Sequence, residues 1–323
     1  KSTTFAVVNE VGAYGRPRVQ TKFIFMTDNK MRTEILTIDK GQCLTDVLPA
    51  IPANTIFDKT ITGCGATHSE IVNAARHSII IEPNIPVILG KKAEHPFLFA
   101  VYEGITKEDV KAYLAGEHDG YRKIITTPEG FDKKVLPAMH ELEIPVYKDY
   151  FLLFDECEKA IQDVGYRGDI YLPVEDFFKF ENKAMVSATP IVPSDPRFEE
   201  NGFKILKLVP TYDSRIELTL CTTNNTVAVM RKLLKRLENE TVCVFLNSTE
   251  TILSLIYALG LQGRSMVFCS EKSVRKLKQM NFTDASETLD ELAPVNFLTS
   301  RFYAAVDIKL DYKPHVILLT DVM

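Results

Sequence analysis

No stretch of this chain approaches the roughly 20 consecutive apolar residues that a membrane helix needs, and the longest candidates, such as Ser78–Glu82 and Phe151–Phe154, have the length of core strands. Metal-binding cysteine pairs are missing too. The six cysteines are scattered, with no CxxC and no HExxH, so nothing here signals a structural zinc site. Positive charge is not in excess: 38 Lys plus Arg against 43 Asp plus Glu give a net charge of −5. That excludes nucleic-acid binding by bulk charge, though not by a local basic groove. There is no low-complexity tract, and 46% apolar with 25% charged residues excludes wholesale disorder. The opening KSTTFAVV has neither the apolar stretch of a signal peptide nor an initiator methionine, so the natural start is expected to have been trimmed. Dispersed cysteines with mostly apolar flanks read as reduced thiols, and the expected location is the cytoplasm, with no membrane partner.

A length of 323 residues suits two domains of ordinary size. Over residues 1–40, FAVV (5–8), TKFIFM (21–26) and RTEILTI (32–38) alternate with turns, which predicts a small antiparallel β meander. From residue 41 the pattern changes to strand, loop and helix in alternation. TIFDKTIT, SIIIEP (78–83), KIITT (123–127), DYFLLFD (149–155), AMVSAT (184–189) and KILKLVP (204–210) read as strands, with helices near His68–Ala75, Lys107–Leu114 and Lys133–Leu142. Continuous β-branched runs between amphipathic helices imply an α/β fold with a parallel sheet covered on both faces. A Pro-rich turn cluster (189–202) precedes a domain boundary placed at 211/212. A second α/β series over 212–323 includes an amphipathic helix at Asn225–Leu237 and strands at 242–247, 264–269, 295–300 and 315–320.

Two constellations carry chemistry. Thr62-Gly-Cys-Gly-Ala-Thr67 lies between a strand and a helix, where glycines let backbone N–H groups face a phosphate and Thr67 stands where a hydroxyl reaches Mg²⁺. Taken alone, the same pattern also describes a plain strand-to-helix turn. Phe151-Leu-Leu-Phe-Asp-Glu-Cys-Glu158 is an apolar strand that delivers adjacent acids at its carboxyl end. There an Asp can hold Mg²⁺ through water and a Glu can polarise an attacking water; the alternative is an acidic helix cap. Further along, AMVSATP ends a strand in Ser-Ala-Thr.

In this order the residues resemble a superfamily 2 helicase from about residue 42 onward. GCGAT (63–67) is similar to that family's first motif, IIIEPN (79–84) to motif Ia and ITTPEGF (125–131) to motif Ib. DECE (155–158) resembles motif II, SAT (187–189) motif III, VFLNSTE (244–250) motif IV and TSRFYAAVDI (299–308) motif V, with Ala305 standing for a glycine. The resemblance implies two tandem RecA-like domains, the second incomplete, and an ATP-dependent helicase or translocase. Its cofactors would be ATP and Mg²⁺, and its partner a single strand of DNA or RNA crossing both domains. Gly63, Gly65 and Thr67 would cradle the phosphates and metal, Asp155 would position the metal, and Glu156 the hydrolytic water. Ser187 and Thr189 would couple nucleotide state to movement. Thr127, Pro128, Asn247, Ser248 and Thr299 would lie along the nucleic acid, and Asp307 would face the nucleotide. Gln42 stands loosely where the family reads adenine. The odd phosphate loop and the N-terminal meander suggest a phage or mobile-element origin.

Two departures bear on activity. Ala66 replaces the lysine that neutralises the β- and γ-phosphates, and Lys59, read as part of the preceding strand, is expected to point elsewhere. The arginine-rich motif VI does not follow HVILLTDVM, which is expected to reflect truncation and to leave residues 1–323 inactive as an ATPase. A non-hydrolysing nucleotide- or nucleic-acid-binding module is therefore the alternative, and a structural α/β scaffold a third. The basic helical runs 231–236 and 275–278 read as solvated faces before they read as phosphate-binding stripes.

Overall fold

The computed structural model describes residues 4–10, 31–158, 173–189, 193, 195–214, 217–289, 291–303 and 310–322. Two compact units divide the chain. One is Phe25–Ser214, and the other combines Lys1–Ile24 with Arg215–Met323. Strand β1 (Thr4–Glu10) therefore belongs to the unit that the rest of the chain completes last.

The Phe25–Ser214 unit is built on β2 (Thr33–Ile38), β3 (Thr55–Asp58), β4 (His77–Ile81), β5 (Phe99–Val101), β6 (Lys123–Thr126), β7 (Tyr150–Phe154), β8 (Asn182–Ser187) and β9 (Lys204–Pro210). They form one sheet in the order β2-β9-β3-β8-β7-β4-β6-β5, every pair parallel. Its strands are continuous apolar runs because both faces are covered. Ile79, Ile81, Leu152 and Phe154 pack into one cluster with Val110, Leu114 and Met139. Their neighbours Ile80, Phe151 and Leu153 pack into another with Phe57, Ile71 and Ile88. Alternation along each strand thus feeds two apolar layers instead of one apolar and one wet face.

After β6, Thr127 caps the short helix Pro128–Gly130, its hydroxyl accepting from the Gly130 amide at 3.0 Å. A π-turn follows at Phe131–Val135, closed by the Leu136 amide on the Phe131 carbonyl. Pro137 has no N–H to offer the preceding turn, which accounts for the widened ladder there. Gly130 has an ordinary helical φ of −66° but no room: a Cβ would sit 2.5 Å from Thr126 Oγ1 and 3.1 Å from the Val101 carbonyl. Gly130→Ala is expected to cost about 1–3 kcal/mol in a urea titration through overpacking, and an unchanged midpoint would show that β5 and β6 can yield.

The second sheet joins β1 with β10 (Leu218–Thr223), β11 (Val242–Phe245), β12 (Ser265–Phe268), β13 (Ala285–Ser286), β14 (Val295–Leu298) and β15 (His315–Val322). Its order is β10-β1-β15-β11-β14-β12-β13, again parallel throughout. The helix Thr226–Arg236 buries Met230 and Leu233 and leaves Arg231, Lys232, Lys235 and Arg236 exposed, the solvated face that its pattern suggests.

The antiparallel meander expected over residues 1–40 is not what the described residues form. β1 lies between β10 and β15, with Thr4 opposite both Leu218 and Val316, and β2 pairs in parallel with β9 as an edge strand of the other unit. TKFIFM lies outside the described residues. A β-prone run announces a strand, but nothing in its own residues says that its partners stand at the far end of the chain.

Candidate nucleotide site

β3 and β4 are consecutive in the chain yet separated in the sheet by β8 and β7. The carboxyl ends of these four strands therefore stand side by side at the edge where open α/β sheets bind ligands. Backbone bonds fasten the ends together. The Lys59 amide donates to the Ser187 carbonyl at 2.9 Å, Asp155 to Ile81 at 3.0 Å and Glu82 to Thr126 at 2.9 Å.

Over this edge runs the glycine loop. Gly63 and Gly65 have φ of +72° and +89°, a region that disfavours any Cβ, although a Cβ at either would meet nothing within 4 Å. Backbone conformation, not crowding, requires these glycines, and the loop faces open space. The Cys64 carbonyl accepts from the Leu44 amide at 2.9 Å, tying the loop to the short helix Leu44–Val47. Three residues after Cys64, the Thr67 hydroxyl donates to Asp155 Oδ2.

Asp155 Oδ1 accepts from the Glu156 amide at 3.0 Å and lies 3.4 Å from Lys59 Nζ, which reaches Glu156 Oε1 at 2.6 Å. Lys59 therefore does not point elsewhere. β3 ends at Asp58, one residue short of it, and its side chain turns to the acidic pair. Glu156 has a φ of +48°, a left-handed conformation uncommon for a non-glycine residue, at the point where the chain leaves β7.

Burial would lower the Lys59 pKa, but Asp155 and then Glu156 more than offset it and hold the ammonium charged. Two further carboxyls sit close by. Burial first, and Asp155 second, push Glu82 up to about 8, against the opposing bonds from Asn84. Burial and a hydrogen bond with Glu156 push Glu158 up to about 7.

Because Glu82 keeps its proton in the folded chain to about pH 8, whereas the unfolded chain releases it near 4.5, its contribution to stability falls as pH rises between those values. Glu82→Gln keeps an oxygen for the Asn84 amides, now accepted at 2.9 and 3.1 Å, and does not titrate. The variant is expected to melt near the parent at pH 5 and higher than it at pH 9, by roughly 5 °C. Equal differences at the two pH values would mean that Glu82 is ionised throughout.

Thr67 and Asp155 are hard oxygen donors meeting below an open loop. Such a set suits Mg²⁺, which takes one or two protein oxygens and completes its shell with water and phosphate. Among the described residues no group of three His, Cys, Asp or Glu side chains forms a protein-only metal site.

The other expected residues divide by unit. Ser187 is buried at the end of β8, its hydroxyl accepting from the Thr189 amide at 2.9 Å, and Thr189 is exposed. Thr127 and Pro128 are buried in the cap after β6, with the Thr127 hydroxyl engaged by Gly130. Gln42 closes its own turn through a 2.8 Å bond from the Asp39 amide, which leaves its adenine-reading role without support.

In the second unit, Asn247, Ser248 and Thr299 come together in an open groove of about 320 Å³ at the carboxyl ends of β11, β12 and β14. Asn247 Oδ1 accepts from the Ser300 amide at 3.2 Å, Ser248 caps the helix Thr249–Leu259, and the Thr299 hydroxyl donates to the Phe268 carbonyl at 3.2 Å. Asp307 lies outside the described residues. Sequence reasoning gave no role to Glu82 at the first edge or to Ser270, Ser273 and Arg301 in this groove. Glu82 and Ser270 stand one and two residues past the carboxyl end of a parallel strand, which was the available signal, whereas Ser273 lies on the following helix Glu271–Gln279 and carried none.

No protein-family model and no curated protein matches the chain. Among solved structures it is similar to the S. cerevisiae DEAD-box helicase Dbp5 bound to RNA and ADP BeF3, at 12% identity and a TM-score of 0.50, over 84% of this chain and 79% of that one. A Dbp5 variant bound to Gle1 and IP6 gives the same identity and TM-score over 83% and 78%. The M. smegmatis helicase Lhr bound to ssDNA and AMP-PNP shares 11% identity over 83% of this chain and 44% of its own, at a TM-score of 0.43. With two parallel-sheet units in one chain, the fold is that of tandem RecA-like domains, as in the Dbp5 structures.

Proposed function

We propose that the protein is a nucleotide-driven nucleic-acid helicase or translocase whose ATP site is the carboxyl edge of the Phe25–Ser214 sheet. The observation that carries this reading is the bond from Thr67 to Asp155, with Glu156 adjacent, below the Gly63–Gly65 loop. Backbone N–H groups of the loop would bind the phosphates, and Thr67 and Asp155 would hold Mg²⁺. A bound Mg²⁺ supplies charge neutralisation between the phosphate oxygens. Glu156 would orient the attacking water and take its proton at the carboxylate, leaving Asp155 to fix the geometry. Ser187, at the end of β8 between β3 and β7, and Thr189, two residues beyond it, would pass a shift at this edge along the sheet.

Nucleic-acid binding would use the hydroxyl- and amide-lined groove of Asn247, Ser248 and Thr299 in the second unit, with Arg301 beside it. Dbp5 was solved with RNA, which supports nucleic acid as the ligand. The six cysteines are free, which supports a reducing compartment such as the cytoplasm.

The test is phosphate release from Mg·ATP with and without single-stranded DNA or RNA. Sequence alone leads to the expectation that residues 1–323 are inactive; with the Lys59 ammonium at the site, the expected result is turnover stimulated by either strand. ATP binding without turnover would select the second reading, a binding module with a degenerate site, which Ala66 in place of lysine favours.

A further inference from the structure

The glycine loop has no lysine of its own, yet a buried ammonium stands at the site. We infer that Lys59, delivered from the end of β3, is the phosphate-binding cation of this site, held by Asp155 and Glu156 while no nucleotide is bound and transferred to its terminal phosphates when one enters. The inference rests on the nucleotide reading above.

Three observations support it. First, placement: Lys59 follows the last residue of β3, and its amide is fixed to the Ser187 carbonyl at 2.9 Å, so the stem starts from a rigid strand end at the ligand edge. Second, reach: Nζ lies 3.4 Å from Asp155 Oδ1, while Thr67 occupies Oδ2 of the same carboxylate. The ammonium and the hydroxyl bracket Asp155, the residue that would face a metal-bound triphosphate. Third, charge: a side chain only 9% exposed keeps its ammonium in a buried place because two carboxylates compensate it.

A nucleotide entering with Mg²⁺ would change that balance: Asp155 would hold the metal, and Lys59 would find in the phosphate oxygens a more highly charged acceptor than Glu156. The ammonium needs only to swing at the end of a flexible four-carbon stem, with no backbone movement. Glu156 would lose its ion pair with Lys59 while keeping its hydrogen bond with Glu158, and the carboxylate oxygen that Lys59 held would turn to water.

A purely structural clamp would leave Lys59 on the carboxylates throughout, and the two cases differ in how affinity depends on phosphate number. Binding of ATP and of AMP is measured by calorimetric titration on the full chain, for the parent, Glu156→Gln, Lys59→Met and the double variant Lys59→Met/Glu156→Gln. The double variant removes the cation together with one carboxylate, so a failure of Lys59→Met to fold does not end the test.

Relative to Glu156→Gln, the double variant is expected to bind ATP on the order of 30- to 100-fold more weakly, the size of one charge-assisted hydrogen bond. AMP affinity is expected to change by less than about threefold, since AMP lacks the phosphates that Lys59 would contact. Equal losses for both nucleotides, or no loss for either, would overturn the role of Lys59 and leave the nucleotide reading standing. A parent chain that binds neither nucleotide would overturn both.

Discussion

Glu156→Gln is expected to lower phosphate-release turnover by roughly 10²–10⁴-fold, the range associated with losing a general base, while ATP affinity stays near the parent value. The substitution is nearly isosteric and keeps an oxygen within reach of Lys59, now 2.6 Å from Oε1. Asp155 still receives the Thr67 hydroxyl and the backbone amide of residue 156. What disappears is the basic oxygen that would take a proton from water. Loss of kcat with retained binding is the signature of an interaction made in the transition state. Turnover equal to the parent would remove Glu156 from that role, and a collapse of ATP affinity would make it a binding residue instead.

The largest stability effect is expected at the opposite end of the same sheet. Glu70, fully buried on the helix Ala66–Val72, accepts from Arg76 Nη2 at 2.5 Å, Arg76 Nε at 3.1 Å and the Ser78 hydroxyl at 2.5 Å. Lys123 Nζ donates to Ser78 Oγ at 2.9 Å and lies 3.6 Å from Glu70. Burial brings the Lys123 pKa down to about 8 even with Glu70 beside it. The Arg76 guanidinium stacks 3.4 Å from the centroid of the Phe151 ring and donates to the Ile51 carbonyl, so it cannot swing out to water without giving up both contacts. Glu70→Ala strands two cations, and removing one partner of a buried pair typically costs about 3–5 kcal/mol. Urea unfolding should show that loss. A change below about 1 kcal/mol would mean that water reaches the network and solvates Arg76 and Lys123.

Fully buried parallel strands such as Ile79–Ile81 and Phe151–Phe154 were legible because both faces demand apolar residues, leaving a continuous run. The helix at Asn225–Leu237 was legible from its periodicity; it runs from Thr226 to Arg236, with Asn225 capping its start. The helix Ile85–Glu94 was not, because Pro86 and Gly90 resemble breakers; the proline sits in the first turn, where its missing N–H costs nothing. β5 has three residues, too few for a pattern.

At the site, the motif order located Gly63, Gly65, Thr67, Asp155 and Glu156 at one sheet edge. It misjudged Lys59 because the run TIFDKTIT reads as one long strand. In an eight-residue strand Lys59 would stand in the middle, with its side chain over a sheet face. The strand stops at Asp58, and that difference of a few residues turns the same side chain into the acidic pair.

The position of β1 between β10 and β15 makes the Lys1–Ile24 and Arg215–Met323 unit discontinuous, with the other unit inserted into it. On the ribosome, β1 emerges before either of its neighbours exists. At about 5–20 residues per second, the wait from Thr4 to its partner Val316 is on the order of 15–60 s. The inserted unit can fold in that interval from contacts confined to Phe25–Ser214. The enclosing sheet cannot, because β1 closes contacts across nearly the whole chain, the most expensive kind in loop entropy and the slowest to form. A polypeptide begun at Arg215 would carry β10 and β15 with nothing to bridge them, so this half of the molecule depends for its own sheet on residues made about 200 positions earlier.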